Sequence, residues 1–219
     1  QAMELDWLDD YSVDACLLIG RPGTVGYTGV VNVLTGAANP SGRLVDTYAA
    51  NSLSAPAVTY AGNNTQQWSN LDWVAANNPD WGADGTSESN WILYAEGIYV
   101  GYKYYETRYG DTVLGAGNAS SAVGSSTGSA WYYTDEVVYP FGYGLSYTTF
   151  EQTLDSVEIM GDKKTATVTV TVTNTGDVAG KSVIQLYAQA PYTDYDKQYH
   201  IEKSAVQLMD FEKTNTLEP

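Results

Sequence analysis

The 219-residue chain is 43% hydrophobic and 16% charged, a balance that suits one or two globular domains and excludes a disordered or fibrous chain. Ten Lys and Arg against 26 Asp and Glu leave a net charge of −16. With no Lys/Arg-rich run to meet phosphates, nucleic acid and anionic membrane surfaces are excluded as partners.

No apolar run approaches the ~20 residues that cross a bilayer, and Gln1-Ala2-Met3-Glu4 is not a basic leader ahead of an apolar core. Both ends read as internal to a longer gene, which leaves localisation open. One histidine and one cysteine exclude a His/Cys zinc cluster, so no metal site and no cofactor is expected, and a Ser-His-Asp triad would depend on His200. His200 reads as solvated in the polar loop from Tyr195. Cys16, inside Val13-Asp14-Ala15-Cys16-Leu17-Leu18-Ile19, reads as a small buried hydrophobe rather than a reactive thiol.

In chain order, residues 4–10 read as the end of a helix and Val13–Ile19 as a buried strand bounded by Gly20. The turn Arg21-Pro22-Gly23-Thr24-Val25-Gly26 leads into a helix over Tyr27–Leu34, with Val30, Val31, Val33 and Leu34 near helical spacing and a stop at Gly36. Strand, glycine turn and helix make half of a βα repeat, the unit of a mostly parallel sheet. Glycines at 20, 23, 26 and 29 lack both the Gly-Lys-Ser/Thr ending of a P-loop and the dinucleotide spacing, so they read as a tight turn.

Residues 50–92 are rich in Asn, Ser and Trp, with Trp68, Trp73, Trp81 and Trp91 among turn formers, the composition of a long loop or insertion. Ile92 to Tyr105 reads as strand-like and aromatic. Residues 115–130 form a Gly/Ser/Ala-rich, mobile loop. Beyond Phe150 the composition shifts: the strict alternation over 165–173 places Ala166, Val168, Val170 and Val172 on one face and threonines on the other. Further strand-like runs at 154–159, 182–189 and 205–211 make an antiparallel sandwich of about four strands where about seven are needed. Missing strands are expected from another segment, another chain or a swapped copy, because half a sandwich leaves an apolar face and strand edges uncovered.

Four phrases, in order, resemble family 3 glycoside hydrolases. Gly20-Arg21-Pro22-Gly23 with Gly36-Ala37-Ala38-Asn39-Pro40-Ser41-Gly42-Arg43-Leu44 resembles the turn, helix and Asn-Pro-Ser-Gly-Arg-Leu signature near the end of that family's α/β sandwich domain. Tyr94-Ala95-Glu96-Gly97-Ile98-Tyr99-Val100-Gly101-Tyr102-Lys103-Tyr104-Tyr105 and the run from Tyr139-Pro140-Phe141-Gly142-Tyr143-Gly144-Leu145-Ser146-Tyr147 to Phe150 resemble the next two. The stretch from Thr171-Val172-Thr173-Asn174-Thr175-Gly176 to Lys181, with Gln185-Leu186-Tyr187, resembles the start of its fibronectin-like domain. Val45-Asp46-Thr47-Tyr48 departs from the family's usual continuation, and the Trp-rich insertion at 63–91 is unusually long.

The resemblance implies an α/β plus all-β chain. Residues 1–150 would be the C-terminal part of the α/β sandwich (mostly parallel sheet with helices), carrying the Trp-rich and Gly/Ser-rich loops, and 151–219 a truncated fibronectin type III-like antiparallel β-sandwich. It also implies a retaining β-glucosidase-like hydrolase acting on terminal β-D-glucosides or xylosides, with two carboxyl groups about 5 Å apart. In the family the nucleophilic Asp comes from a TIM-like barrel and the acid/base Glu usually from a sandwich loop upstream of the region matched here. No catalytic residue is therefore assignable in this chain, which is expected to be inactive without the barrel domain or chain as its partner. Asp84 and Glu88 read as solvated loop carboxylates and Glu96 as a hydrogen-bonded structural one.

Sugar rings stack on aromatic planes, so Trp68, Trp81 and Trp131 are the candidate substrate-binding residues at an aglycone subsite, with Trp91 behind them and core packing as the competing role. Asn63-Asn64-Thr65 and Asn118-Ala119-Ser120 match the glycosylation pattern by chance. The substrate partner is a β-linked oligosaccharide or glucoside, and a homo-oligomer is compatible with the open sheet. The alternative is a non-catalytic carbohydrate-binding or structural module.

Overall fold

The computed structural model describes residues 3–56, 76–77, 94, 96–110, 113, 122, 125–162 and 164–219. A 3-10 helix, Asp6–Tyr11, and helix α1, Tyr27–Leu34, come first, followed by strand β1, Tyr48–Ala49, and a short 3-10 turn at Ser52–Ser54. Helix α2 is Tyr102–Gly110, α3 Tyr133–Glu136 and β2 Val137–Tyr139. Then come β3, Phe150–Ile159, β4, Ala166–Asn174, β5, Val183–Ala188, helix α4, Asp194–Tyr199, and β6, Gln207–Lys213. The chain thus mixes helices with small sheets. Contacts divide it into two compact units: Gln1–Asp10, Asp46–Pro140 and Gln189–Gln207 form the first, and Tyr11–Val45, Phe141–Ala188 and Leu208–Pro219 the second.

In the first unit β1 and β2 pair antiparallel, Tyr48 opposite Tyr139 and Ala49 opposite Val137. Ala49, Tyr104, Tyr105, Trp131 and Val137 form the buried core, with Tyr99 and Tyr133 packed against it. Helix α2 supplies much of that core because Tyr104, Tyr105, Thr107 and Arg108 fall on one face at helical spacing. This corrects the strand-like reading of 92–105: 96–98 is a turn, and the tyrosines from 102 onward lie on a helix. Aromatic β-propensity is weak against a buried face at i, i+3 and i+4. The loop expected at 195–200 is also a helix, α4. Its Thr193 and Asp196 form a capping box, with the Thr193 hydroxyl accepting from Asp196 N and the Asp196 carboxylate accepting from Thr193 N. His200 closes α4 in the left-handed conformation, φ 52°, and is solvent-exposed.

In the second unit the alternation is realised as β4, paired antiparallel with β3 from Phe150↔Asn174 to Ile159↔Ala166. Val168, Val170 and Val172 are half-buried while the threonines between them are exposed. The register slips between Leu154 and Ser156. The extra residue, Asp155, accepts a hydrogen bond from Thr171 Oγ1 at 2.6 Å, so a polar side chain anchors the bulge. β5 pairs with β6, extended by the antiparallel bridge Gly180↔Leu217. All four runs expected beyond residue 150 are strands, and Leu154, Ile159, Met209 and Phe211 stand exposed.

Helix α1 occupies the expected span, with Gly36 beyond it at φ +76°, a conformation glycine adopts without the Cβ penalty. The expected strand before it is absent: Val13–Ile19 belongs to no strand and every residue in it is exposed, Cys16 included. The pairs β1–β2 and β3–β4 are antiparallel, and none of the three two-stranded sheets includes Val13–Ile19. A strand of a parallel sheet is held by neighbours on its edges and helices on its faces, and among the described residues no strand pairs with Val13–Ile19.

Candidate functional site

Of the three tryptophans expected at a sugar subsite, Trp68 and Trp81 lie outside the described residues, as do Trp91, Asp84 and Glu88. Trp131 is described and is only 2% exposed, so it offers no open ring face for stacking; it is a core residue of the first unit. Its ring meets Tyr133 edge-on, with centroids 6.2 Å apart, and the Arg108 guanidinium lies 5.4 Å from its centroid. A guanidinium at this distance is attracted by the ring quadrupole, more so out of water.

Three phenols surround this cluster. Tyr105 shares a hydrogen bond with the buried Ser54 hydroxyl, 3.1 Å away, and burial pushes its pKa up to about 12, with Tyr104, Glu136 and Asp46 adding and Ser54 opposing. Burial also raises Tyr133, helped by its 2.5 Å hydrogen bond to Glu106, and raises Tyr104 against the lowering pull of Arg108. All three stay neutral at physiological pH, which suits donors and packing groups rather than acid/base catalysts. Replacing Tyr105 by Phe is expected to cost about 1 kcal/mol in urea denaturation, because it leaves the Ser54 hydroxyl without its buried partner.

Glu136, fully buried at the end of α3, accepts from Ser126 N at 2.8 and 3.0 Å and from Ser125 Oγ at 2.9 Å. It thereby ties down residues 125–126 of the Gly/Ser/Ala-rich loop. Glu96 is 7% exposed and its Oε2 has no hydrogen-bond partner among the described residues; it is buried, but not held at that oxygen. Sequence reasoning singled out neither Arg108 nor Glu136, since their partners are distant in sequence. Among the described residues no group of three His, Cys, Asp or Glu is placed to hold a metal, and no helix is long and apolar enough to cross a membrane.

Also in the first unit, Lys203 Nζ reaches Asp196 Oδ2 at 2.6 Å and the Pro191 carbonyl at 3.1 Å. The Lys203 hydrogen bond, then the Thr193 amide and hydroxyl, hold the Asp196 carboxyl down at about 2. A depressed folded-state pKa means the contact stabilises above the ordinary carboxylate range near 4 and is lost as pH falls towards 2. Following the Thr193 amide by NMR from pH 5 to 1.5 should give a midpoint near 2, and Lys203→Ala should move it upwards.

In the second unit the residues of the family-like phrases meet as a hydrogen-bonded knot. Asn39 Oδ1 accepts from Ser146 Oγ and Tyr147 N, both at 2.8 Å, while its Nδ2 donates to Ala179 O at 3.1 Å. Asn174 Oδ1 accepts from Thr148 Oγ1 at 2.7 Å, and its Nδ2 donates to Val178 O and Leu217 O at 2.9 and 3.1 Å. Gly180 sits so close that an added Cβ would lie 2.6 Å from Asn39 Nδ2 and 3.1 Å from the Phe150 ring. The polar side chains of three of these phrases thus lock segments distant in sequence together. Beside the knot, Leu44, Phe141, Val183, Leu208 and Phe211 line a mostly apolar cavity of about 420 Å³.

The model of the glycosyl hydrolase family 3 C-terminal domain matches residues 1–102. A β-glucosidase of Ruminococcus albus is 30% identical over 99% of this chain and 17% of its own length. Beta-glucosidase A of Butyrivibrio fibrisolvens is 31% identical over 96% of this chain and 21% of its own. Among solved structures, a β-glucosidase from Paenibacillus barengoltzii is similar at a TM-score of 0.58 and 31% identity, over 89% of this chain and 15% of that one. β-Glucosidase 3B from Thermotoga neapolitana, in complex with glucose, matches at 0.57 and 31%, over 89% of this chain and 20% of that one. The chain thus spans about a fifth of the length of these relatives.

Proposed function

Because this chain belongs to glycoside hydrolase family 3, we propose that it is a non-catalytic part of a retaining β-glucosidase-like enzyme hydrolysing terminal β-D-glucosides or xylosides. Residues 1–150 would supply the end of the α/β sandwich domain and 151–219 the start of the fibronectin type III-like domain. The observation that carries this reading is the match of nearly the whole chain to β-glucosidases of which it makes up only about a fifth. Retention needs a nucleophile and an acid/base about 5 Å apart, and both belong to parts this chain lacks, the barrel foremost. The described residues favour a supporting role: the phenols around Trp131 are held neutral, and the family-like phrases serve as scaffold. Trp68 and Trp81 are proposed to border the aglycone side of the assembled site.

The test is turnover of aryl β-glucoside and β-xyloside by the purified chain, with and without a separately produced polypeptide carrying the barrel and the rest of the sandwich. Turnover is expected only in the mixture. Turnover by the chain alone would overturn the assignment of both catalytic carboxylates to other parts. Sugar binding with no turnover in either arm would favour a carbohydrate-binding module.

A further inference from the structure

Helix α4, in the first unit, carries two tyrosines that the fold leaves open. Tyr195 and Tyr199 are 64% and 55% exposed, and their ring centroids lie 4.5 Å apart at an interplanar angle of 42°. Residues four apart on a helix are neighbours, so the rings form one aromatic patch and not two scattered side chains. A helix of six residues is too short to hold itself together in water, yet both ends of α4 are fixed. The capping box of Thr193 and Asp196 closes its start, and Ile201 N donates to Asp196 O at 3.0 Å beyond its end. Lys203 Nζ joins the Asp196 carboxylate to the Pro191 carbonyl. These contacts bury Asp196, 5% exposed, and hold the tyrosines in solvent on a fixed support.

Charge decides what this patch suits. Asp194 pairs with Lys197 at 3.3 Å and Asp196 with Lys203 at 2.6 Å, so α4 together with Lys203 carries no net charge, in a chain whose net charge is −16. A cationic ligand over the rings would find the carboxylates of α4 already taken. An anionic ligand, or a second copy of the chain, would meet the repulsion of the whole molecule. A neutral ligand with apolar C–H faces and hydroxyls meets neither obstacle. Its faces suit the phenol rings, and the exposed Gln198 and His200 on either side of Tyr199 offer an amide and an imidazole to its hydroxyls. From this juxtaposition we propose that the Tyr195–Tyr199 pair is a carbohydrate-binding platform that takes a neutral, β-linked oligosaccharide by stacking its sugar rings on the two phenols. The linkage rests on the glycosidase reading above. The platform rests on the rings, their fixed helix and the compensated charge; because the support is set before binding, little ordering is left for the ligand to impose.

The test is a titration of the purified chain with cellotetraose, followed by the NMR signals of the Tyr195 and Tyr199 ring protons. Saturable shifts are expected at both rings. Tyr195→Ala and Tyr199→Ala should each raise Kd at least about fivefold, whereas Tyr195→Phe, which keeps the ring, should stay within about twofold of the wild type. Alanine is the best helix former and both side chains are exposed, so the circular dichroism of the chain should not change. Maltotetraose, whose α-linked chain curls, should bind more weakly. No saturable shift up to roughly 10 mM sugar, binding that survives both alanine substitutions, or equal binding of the two sugars would each overturn the proposal. So would ring signals that move, without sugar, when the polypeptide carrying the barrel is added, since the rings would then belong to an internal interface. Turnover of aryl β-glucoside in that mixture separates the two readings. Cellotetraose binding at the tyrosines without turnover keeps the platform and sinks the glycosidase reading, whereas turnover without such binding keeps the glycosidase and sinks the platform.

Discussion

Trp131→Ala is expected to lower the stability of the first unit by about 3–5 kcal/mol, the cost of emptying a buried Trp site that collapses only partly. The indole is 2% exposed, packs within the cluster of Ala49, Tyr104, Tyr105 and Val137, and carries Arg108 over its ring. Its removal therefore takes away core packing and one of the electrostatic partners of the buried Arg108 together. Trp131→Phe keeps an aromatic ring over which Arg108 can remain, and should recover about half of the loss. Urea denaturation of the isolated chain, followed by circular dichroism, is the measurement. A sugar-stacking residue would behave otherwise: the substitution would leave the denaturation midpoint in place and weaken only sugar binding. A loss below about 1 kcal/mol, the usual range for a surface position, would remove Trp131 from the core.

The contrast between Trp131 and β4 shows what local sequence carries. The alternation of β4 is written into nine consecutive residues, Ala166–Asn174, and its period of two has only one structural meaning, so both element and buried face were legible. Helix α1 was legible for the same reason, its start and stop lying within a few residues of its apolar positions. Trp131 sits between Ala130 and Tyr132 after a Gly/Ser-rich run, which looks like an exposed loop. Its burial is decided by α2, more than twenty residues earlier, and no local pattern announces that contact. Glu136 and Arg108 were missed on the same ground, since a carboxylate and a guanidinium are read as solvated until the groups that meet them are known. For α4 the signal was present, Thr193 three residues ahead of Asp196, but it lay among polar residues where a capping box has no apolar run to mark it. Val13–Ile19 failed in the opposite sense: its composition is that of a buried strand, yet it forms no strand and every residue in it is exposed. The family resemblance was legible because it rests on phrases in a fixed order, and in the structure Asn39, Ser146, Thr148 and Asn174 of those phrases are joined by hydrogen bonds. The candidate sugar-binding positions rested on residue type alone, the weakest of these signals.

That knot sets the last prediction. Asn174 is buried, and its side chain serves four partners: Thr148 Oγ1 and Gly176 N donate to its Oδ1, and its Nδ2 donates to Val178 O and Leu217 O. Asn174→Ala leaves both donors and both carbonyls to find water in a site largely closed to it, for an expected loss of about 2–3 kcal/mol in the second unit. Asn174→Asp is the sharper variant. A carboxylate still accepts from Thr148 and Gly176 but cannot donate, and it places an oxygen against the Val178 and Leu217 carbonyls, so it should be no more stable than the alanine variant. Gly180→Ala attacks the same knot from outside, because the new methyl would press on Asn39 Nδ2 and on the Phe150 ring; its cost should fall in the ~1–3 kcal/mol range of overpacked sites. Since Asn174 ends β4 and Leu217 follows β6, the damage should appear as faster amide exchange at both strand ends, and not in the core around Trp131. If Asn174→Ala melts with the wild-type midpoint, the four hydrogen bonds contribute nothing beyond what water supplies.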